Sequence, residues 1–139
     1  MARINQSNFG KTPFQKLLGH NAKVMEVWSN LGEILEQDGL LSSKLKEQVR
    51  RTLAQSNGCE YCKAKGKPEL DTFDEKTSVA VGFTEVFLKY PKGMVPDFAF
   101  EIVNEYFSED EISELCAFIS FTTAQQYFGA VMKLEPHEF

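Results

Sequence analysis

The sequence predicts an all-α protein, with residues 1–139 forming a single-domain bundle of about six helices. Apolar residues recur every three or four positions over long stretches, which is the spacing of one face of an α-helix. Two segments, Thr72 to Glu75 and Ser108 to Glu111, have the Ser/Thr-x-x-Glu pattern of a helix-starting capping box. No run of alternating apolar and polar residues is long enough to predict a β-strand.

The first half of the chain contains three predicted helices. The first runs from about His20 to Gln37, and the second begins at Ser42 or Ser43 and ends at the turn-forming pair Asn57-Gly58. A short helical segment opens at Cys59. The apolar residues that define the first two helices are Val24, Val27, Trp28, Leu31, Ile34, Leu35, Leu45, Val49 and Leu53.

Three further helices follow. One runs from the pattern at Thr72 to about Tyr90, before Pro91, and a second contains Phe98 and Phe107. The third begins with the Ser108 capping box and reaches about Leu134. Apolar residues lie nearly all round this last helix, which predicts a place at the centre of the bundle or in a subunit interface.

Composition and charge exclude several classes of function. The formal charge of −5 argues against nucleic acid and against anionic membrane surfaces as partners, because both require clustered Lys and Arg. Residues 115–132 carry no formal charge, but their Ser, Thr, Gln and Tyr content favours a buried helix over a membrane span. The N-terminus lacks the apolar core of a signal peptide. Three cysteines without a sign of export predict a cytoplasmic protein without a disulfide framework.

The pair Cys59 and Cys62 is the strongest chemical signal in the chain. A Cys-x-x-Cys pair at a helix start can hold a reactive thiolate, since free N–H groups and nearby lysines lower a thiol pKa from about 8.5. Two alternatives remain open: thiols that lie close by coincidence, and half of a zinc site. Zinc needs four ligands, and the other soft donors lack ligand spacing, so we expect no metal within one chain. Those donors are Cys116, which we expect to be a core thiol, His20 and His137.

The residues around this pair resemble a known family. Glu47, twelve residues before Cys59, together with Asn57 to Cys62, resembles the active-site stretch of the carboxymuconolactone decarboxylase superfamily, in its alkylhydroperoxidase D-like branch. Residues 107–134 look like the final helix of that family, and the resemblance covers roughly residues 13–134. It implies an all-helical protomer that assembles into trimers, often paired into hexamers.

The resemblance also implies roles for individual residues. Cys62 would be the thiol that attacks a peroxide, Cys59 its disulfide partner, and Glu47 part of a proton relay through a histidine. This chain departs from the family pattern by having Gly66 in place of that histidine. Glu47 should lie roughly 15 Å from the hairpin tip, and would then reach the sulfur only through waters, a helix bend or another subunit.

Two of these residues keep a second interpretation. Glu47 can instead be a surface or interface carboxylate that pairs with Arg50 or Arg51 one turn later. Tyr61 either places its hydroxyl near the sulfur or packs without a chemical role. Neither His20 nor His137 has a spacing that would let it replace the missing histidine.

The sequence thus predicts a thiol-dependent peroxidase or disulfide oxidoreductase, with a hydroperoxide or disulfide as substrate and a cellular dithiol as reductant. No organic cofactor and no metal are implied, and a homo-oligomer is expected. The alternatives are a non-catalytic or redox-sensing oligomeric protein and, with less support from the residues, a lactone decarboxylase. Lactone chemistry needs a base and carboxylate recognition and does not need paired thiols.

Overall fold

The computed structural model describes residues 1–136, apart from the side chain of Pro91. This part of the chain has seven α-helices and no strand, which confirms the predicted all-α class. Short 3₁₀ turns at Leu70–Thr72 and Pro91–Gly93 precede and follow the fifth helix. The helices are α1 (Pro13–Leu18), α2 (Ala22–Glu36), α3 (Ser43–Ala54), α4 (Glu60–Lys63), α5 (Glu75–Lys89), α6 (Asp97–Tyr106) and α7 (Glu109–Val131).

The starts of the helices agree with the sequence at one predicted capping box and differ at the other. Ser108 accepts a hydrogen bond from the Glu111 amide at 3.2 Å, and the Glu111 carboxylate accepts from the Ser108 amide at 3.0 Å. The box predicted at Thr72 is wrong: the N-cap of α5 is Asp74, which accepts from the Thr77 amide at 2.8 Å. Asp is as good an N-cap as Thr, and the Thr72 hydroxyl is held by the Glu69 carbonyl in the 3₁₀ turn.

Helix α1 has no counterpart among the predicted helices. It is six residues long, too short to show a helical apolar period. Its signals are nevertheless in the sequence, since Thr12 caps it by accepting from the Gln15 amide and Pro13 occupies the first turn.

The main core lies where α3, α5 and α7 pack together, with α6 covering α5. Helix α7 also contacts α2, α4 and α6, so it lies with α3 at the centre of the bundle, which is one of the two places predicted for it. The residues that are almost fully buried in this core include Val49, Leu53, Ala80, Val103, Leu115 and Ile119.

A buried lysine joins three helices at one end of this core. Lys46 is 1% exposed, and its ammonium lies 3.2 Å from the Glu114 carboxylate and donates to the Gln37 carbonyl at 2.9 Å. Glu114 also accepts from the Leu41 amide at 2.8 Å. This network fixes the end of α2 against α3 and α7, and α2 forms one wall of the cavity described below.

We expect Ser108→Ala to lower the free energy of unfolding by about 1 kcal/mol, because it removes the cap of the central helix. Urea denaturation followed by circular dichroism measures the change. The matched control is Ser113→Ala, an exposed serine within the same helix, which should leave stability equal or slightly higher. Equal losses in the two variants would contradict a capping role.

None of the helices in residues 1–136 has the length and apolar character needed to cross a bilayer.

Candidate functional site

The Cys-x-x-Cys segment follows a tight turn that is held against α7. Gly58 has φ of +79°, a conformation that suits glycine. The buried Asn57 amide donates to the Gln126 side chain at 2.8 Å, and Gln126 in turn donates to the Arg50 carbonyl at 3.3 Å. The turn predicted at Asn57-Gly58 is therefore confirmed and is tied to both α3 and α7.

Cys59 and Cys62 are joined by a disulfide, with their Cα atoms 5.2 Å apart. Cys59 is the N-cap of α4, and its sulfur accepts a hydrogen bond from the Cys62 amide at 3.1 Å. The pairing is the one that the family resemblance implies. The hydrogen bond would also favour negative charge on Cys59 when the disulfide opens, because an N–H donor stabilises a thiolate.

The two sulfurs differ in access. Cys59 is 1% exposed and packs beneath α7, whereas Cys62 is 8% exposed and lines a cavity. Gly129 of α7 creates the space for Cys59: a Cβ atom there would lie 2.5 Å from the Cys59 sulfur and 3.7 Å from the Cys62 sulfur. Only Cys62 can therefore meet a substrate without a rearrangement of α7.

The cavity beside Cys62 has a volume of about 260 Å³ and opens to solvent. Its walls come from α1, α2, α3, the α4 segment and α7. Aromatic, charged and amide side chains all contribute, so it can hold a small molecule with both apolar and polar parts. The residues lining it besides Cys62 include Phe14, Trp28, Glu33, Glu36, Arg50, Tyr61, Lys65, Gln125 and Gln126.

Glu47 is connected to the dithiol segment through Arg50. Its carboxylate accepts from Arg50 at 2.8 and 2.9 Å and from Arg51 at 2.9 Å. Arg50 also donates to the Cys62 carbonyl at 3.2 Å. Burial raises the pKa of Glu47, but the hydrogen bonds from the two arginines outweigh it and lower the pKa. Glu47 thus forms the ion pairs with Arg50 and Arg51 that its interpretation as a surface or interface carboxylate predicts. The hydrogen bond from Arg50 to the Cys62 carbonyl was not predicted from the sequence.

Gly66 lies where a side chain would be strained and crowded. Its φ is +127°, and a Cβ atom would lie 3.0 Å from a terminal nitrogen of Arg51. Arg51 itself donates to the Lys67 carbonyl at 3.1 Å and pairs with Glu69 at 3.2 Å. Helix α4 already ends at Lys63, so Gly66 lies in the loop that follows. A side chain at this position would therefore not project from a helix turn after Cys62.

Tyr61 and Lys65 form one side of the cavity. The Lys65 ammonium lies 5.1 Å from the centre of the Tyr61 ring, in a cation–π contact. Burial raises the pKa of the half-buried Tyr61 phenol, so the hydroxyl keeps its proton at neutral pH. Burial, followed by repulsion from Arg50, lowers the pKa of Lys65. Of the three lysines that follow Cys62 closely in sequence, Lys63, Lys65 and Lys67, Lys65 is the one that lines the cavity.

Glu36 lines the cavity but was not among the residues predicted from the sequence. It is the last residue of α2, far from the dithiol in sequence, and no motif distinguishes it from other helix-terminal glutamates. Burial raises its pKa, while Lys65 and Arg50 act in the opposite direction. Only the folding of α2 against α3 and α7 brings it to the cavity that Cys62 lines.

The remaining soft donors lie away from this cavity. A ring nitrogen of His20 lies 2.6 Å from the Asn5 carbonyl oxygen, and Cys116 packs against the main core, where burial raises the pKa of its thiol. His137 lies outside the described residues. Across residues 1–136, no three or more His, Cys, Asp and Glu side chains are grouped so that they could hold a metal ion.

A scan against protein-family models and a search of curated proteins both give no match to this chain.

We expect Arg50→Gln to slow alkylation of Cys62 by iodoacetamide at pH 7 about threefold in the reduced protein. A cation beside a thiol favours the thiolate, which is the reacting form. Arg51→Gln is the matched control, because Arg51 also binds Glu47 but does not line the cavity. The interpretation fails if the two variants react equally fast.

Proposed function

We propose that this protein is a thiol-dependent oxidoreductase that reduces hydroperoxides or small disulfides with the Cys59–Cys62 pair. The observation that carries the proposal is the asymmetry of the dithiol: one sulfur lines a cavity of substrate size and its partner is buried beneath Gly129. An attacking thiol needs access, and a resolving thiol needs only proximity to the first. The arrangement supports Cys62 as the attacking thiol and Cys59 as the resolving one.

With a hydroperoxide, the Cys62 thiolate attacks the terminal oxygen and the O–O bond breaks. Cys62 becomes a sulfenic acid, and the other oxygen leaves as an alkoxide that takes up a proton to give an alcohol. The Cys59 sulfur then attacks the Cys62 sulfur and displaces hydroxide. That hydroxide takes the proton that Cys59 loses, so water and the disulfide are the products.

A dithiol of the cell returns the protein to its reduced form. One thiolate of the reductant attacks the accessible Cys62 sulfur, and Cys59 leaves as a thiolate that keeps its hydrogen bond from the Cys62 amide. The second thiol of the reductant then releases Cys62, and the reductant becomes a disulfide. The same exchange, run with a substrate disulfide, reduces that disulfide instead.

Glu47 and Tyr61 have supporting roles in this proposal. Glu47 holds Arg50, which fixes the Cys62 backbone and places a cation in the cavity. Tyr61 offers a protonated hydroxyl in the cavity wall, suited to donate a hydrogen bond to a peroxide oxygen.

The proposal includes a homo-oligomer, a trimer or hexamer, acting in the cytoplasm, where cellular dithiols are available. Support comes from α2, which has exposed apolar residues three or four positions apart and therefore on one face. They are Val24, Val27, Leu31 and Ile34, of which Ile34 is 67% exposed. Sedimentation of the wild type and of Ile34→Asp tests this part: equal, monomeric behaviour of both would contradict it.

A redox sensor is the second candidate. It uses the same two cysteines and is favoured by Gly66, because the chain lacks the histidine on which the resembling family relies. A sensor oxidises quickly but is reduced slowly, so turnover with excess dithiol separates it from an enzyme.

The test of the leading proposal begins with the fully reduced protein. Cumene hydroperoxide or a small disulfide is added, the loss of free thiol is followed, and disulfides are mapped by mass spectrometry. We expect rapid loss of two thiols per chain and a Cys59–Cys62 disulfide. Oxidation no faster than that of free cysteine with both reagents would overturn the proposal.

A further inference from the structure

We propose that Glu36 is the group that carries the proton in the cavity, receiving it from the Cys62 thiol and delivering it to the oxygen that leaves the peroxide. This inference rests on the proposed function and assigns a catalytic residue to it. Its basis is the position of Glu36 at the end of α2, where its side chain and Cys62 line the same cavity.

The other glutamate associated with the dithiol is unsuited to this task. Both carboxylate oxygens of Glu47 accept hydrogen bonds from arginine side chains. These contacts stabilise the charged form and lower the pKa of Glu47, so it gives no proton to a leaving group near neutral pH. Glu47 is also absent from the cavity wall, whereas Glu36 is part of it.

The groups around Glu36 shift its pKa in two opposing directions. Burial raises its pKa, and the carboxylates of Glu47 and Glu33 add to the effect. Lys65, from the segment after α4, and Arg50, from α3, act to lower it. The result is a raised pKa, which brings the carboxyl closer to neutral pH and makes it a better proton carrier there than an ordinary glutamate.

In this step Glu36 takes up one proton and gives one proton back. The Glu36 carboxylate accepts the proton of the Cys62 thiol, directly or through a cavity water, and the thiolate forms. The thiolate attacks the terminal peroxide oxygen, the O–O bond breaks, and the departing alkoxide takes the proton from the Glu36 carboxyl. The products are Cys62 sulfenic acid and an alcohol, and Glu36 is again a carboxylate.

This role explains how a chain with Gly66 can perform the reaction. A histidine at Gly66 would be strained by the positive φ of +127° and crowded by the Arg51 guanidinium. The proton carrier must then come from another wall of the cavity. Within the described residues, Glu36 and Glu33 are the carboxylates in that wall, and burial raises the pKa of Glu36.

The test compares Glu36→Gln with the wild type in single-turnover oxidation by cumene hydroperoxide between pH 5 and 9. We expect the rate of the variant at pH 7 to fall about tenfold, and the pH profile to lose the contribution of one ionising group. Glu36→Asp should recover part of the rate. Glu26→Gln makes the same chemical change on an exposed part of α2 outside the cavity and should leave the rate unchanged.

Alkylation by iodoacetamide distinguishes proton delivery from a general disturbance of the site. That reaction needs the thiolate, which also forms by proton exchange with solvent, but it needs no proton for its leaving iodide. Glu36→Gln should therefore lose much less rate in alkylation than in oxidation by the peroxide. Equal losses in both reactions, or an unchanged peroxide rate and pH profile, would overturn the role of Glu36. If the wild type itself reacts no faster than free cysteine, the proposed function fails instead.

Discussion

Replacing Cys62 by serine should reduce the rate of hydroperoxide-driven thiol loss at least a hundredfold, to that of an unactivated thiol. Cys62 is the sulfur in the cavity wall, and serine keeps its size but is not a nucleophile towards peroxides. Cys59 cannot take over, since it is 1% exposed and lies beneath Gly129. Stopped-flow mixing of the reduced protein with cumene hydroperoxide, followed by thiol quantitation, measures the difference.

The control for this prediction is Cys116→Ser, which removes a thiol on α7 outside the cavity and should leave the fast phase intact. A Cys62→Ser protein that still loses a thiol at the wild-type rate would show that another cysteine reacts first. The asymmetry between the two sulfurs would then have no chemical meaning.

Gly129→Ala should make the Cys59–Cys62 disulfide easier to reduce, with a reduction potential roughly 20–60 mV less negative. A methyl group at this position would lie 2.5 Å from the Cys59 sulfur, well inside contact distance. Overpacking of this kind costs about 1–3 kcal/mol, and about 1.4 kcal/mol corresponds to 30 mV for a disulfide. The strain falls mainly on the oxidised form, because a free Cys59 thiol can rotate away from α7.

Equilibration with dithiothreitol redox buffers, followed by alkylation of free thiols, measures the potential. Gly82→Ala is the matched control, because Gly82 is also a helical glycine and a Cβ atom there meets nothing within 4 Å. The gain in helix propensity is common to both redox states and does not enter the potential. An unchanged potential in Gly129→Ala would contradict the close approach of α7 to the disulfide.

The course of the chain could be predicted from the sequence wherever a long apolar period or a strong cap defines it. Helix α3 shows both, with an apolar face and Ser42 as its N-cap, and helix α7 shows the strong cap at Ser108. Prediction failed where the signal was short or ambiguous. Helix α1 is only six residues long, and Thr72 and Asp74 are both acceptable N-caps, so tertiary structure decides between them.

The site residues that are adjacent in sequence could be predicted, and those that are distant in sequence could not. Cys59, Cys62 and the turn before them are read directly from adjacent residues. Gly129 contacts the dithiol only because α7 packs against α4, and Glu36 lines the cavity of Cys62 only because α2 packs against α3 and α7. The pairing of Glu47 with Arg50 and Arg51 follows from their spacing on one helix, as predicted. The contact of Arg50 with the Cys62 carbonyl depends on a side-chain direction that spacing alone does not give.

The most direct measurement is to trap the sulfenic acid that the proposed chemistry requires. Cys59→Ser removes the resolving thiol, so the oxidised sulfur should persist long enough to react with dimedone after a single equivalent of cumene hydroperoxide. Mass spectrometry of the digested protein should then find the dimedone adduct on Cys62. An adduct on Cys116 alone, or no adduct formed faster than on free cysteine, would contradict the assignment of Cys62 as the reacting thiol.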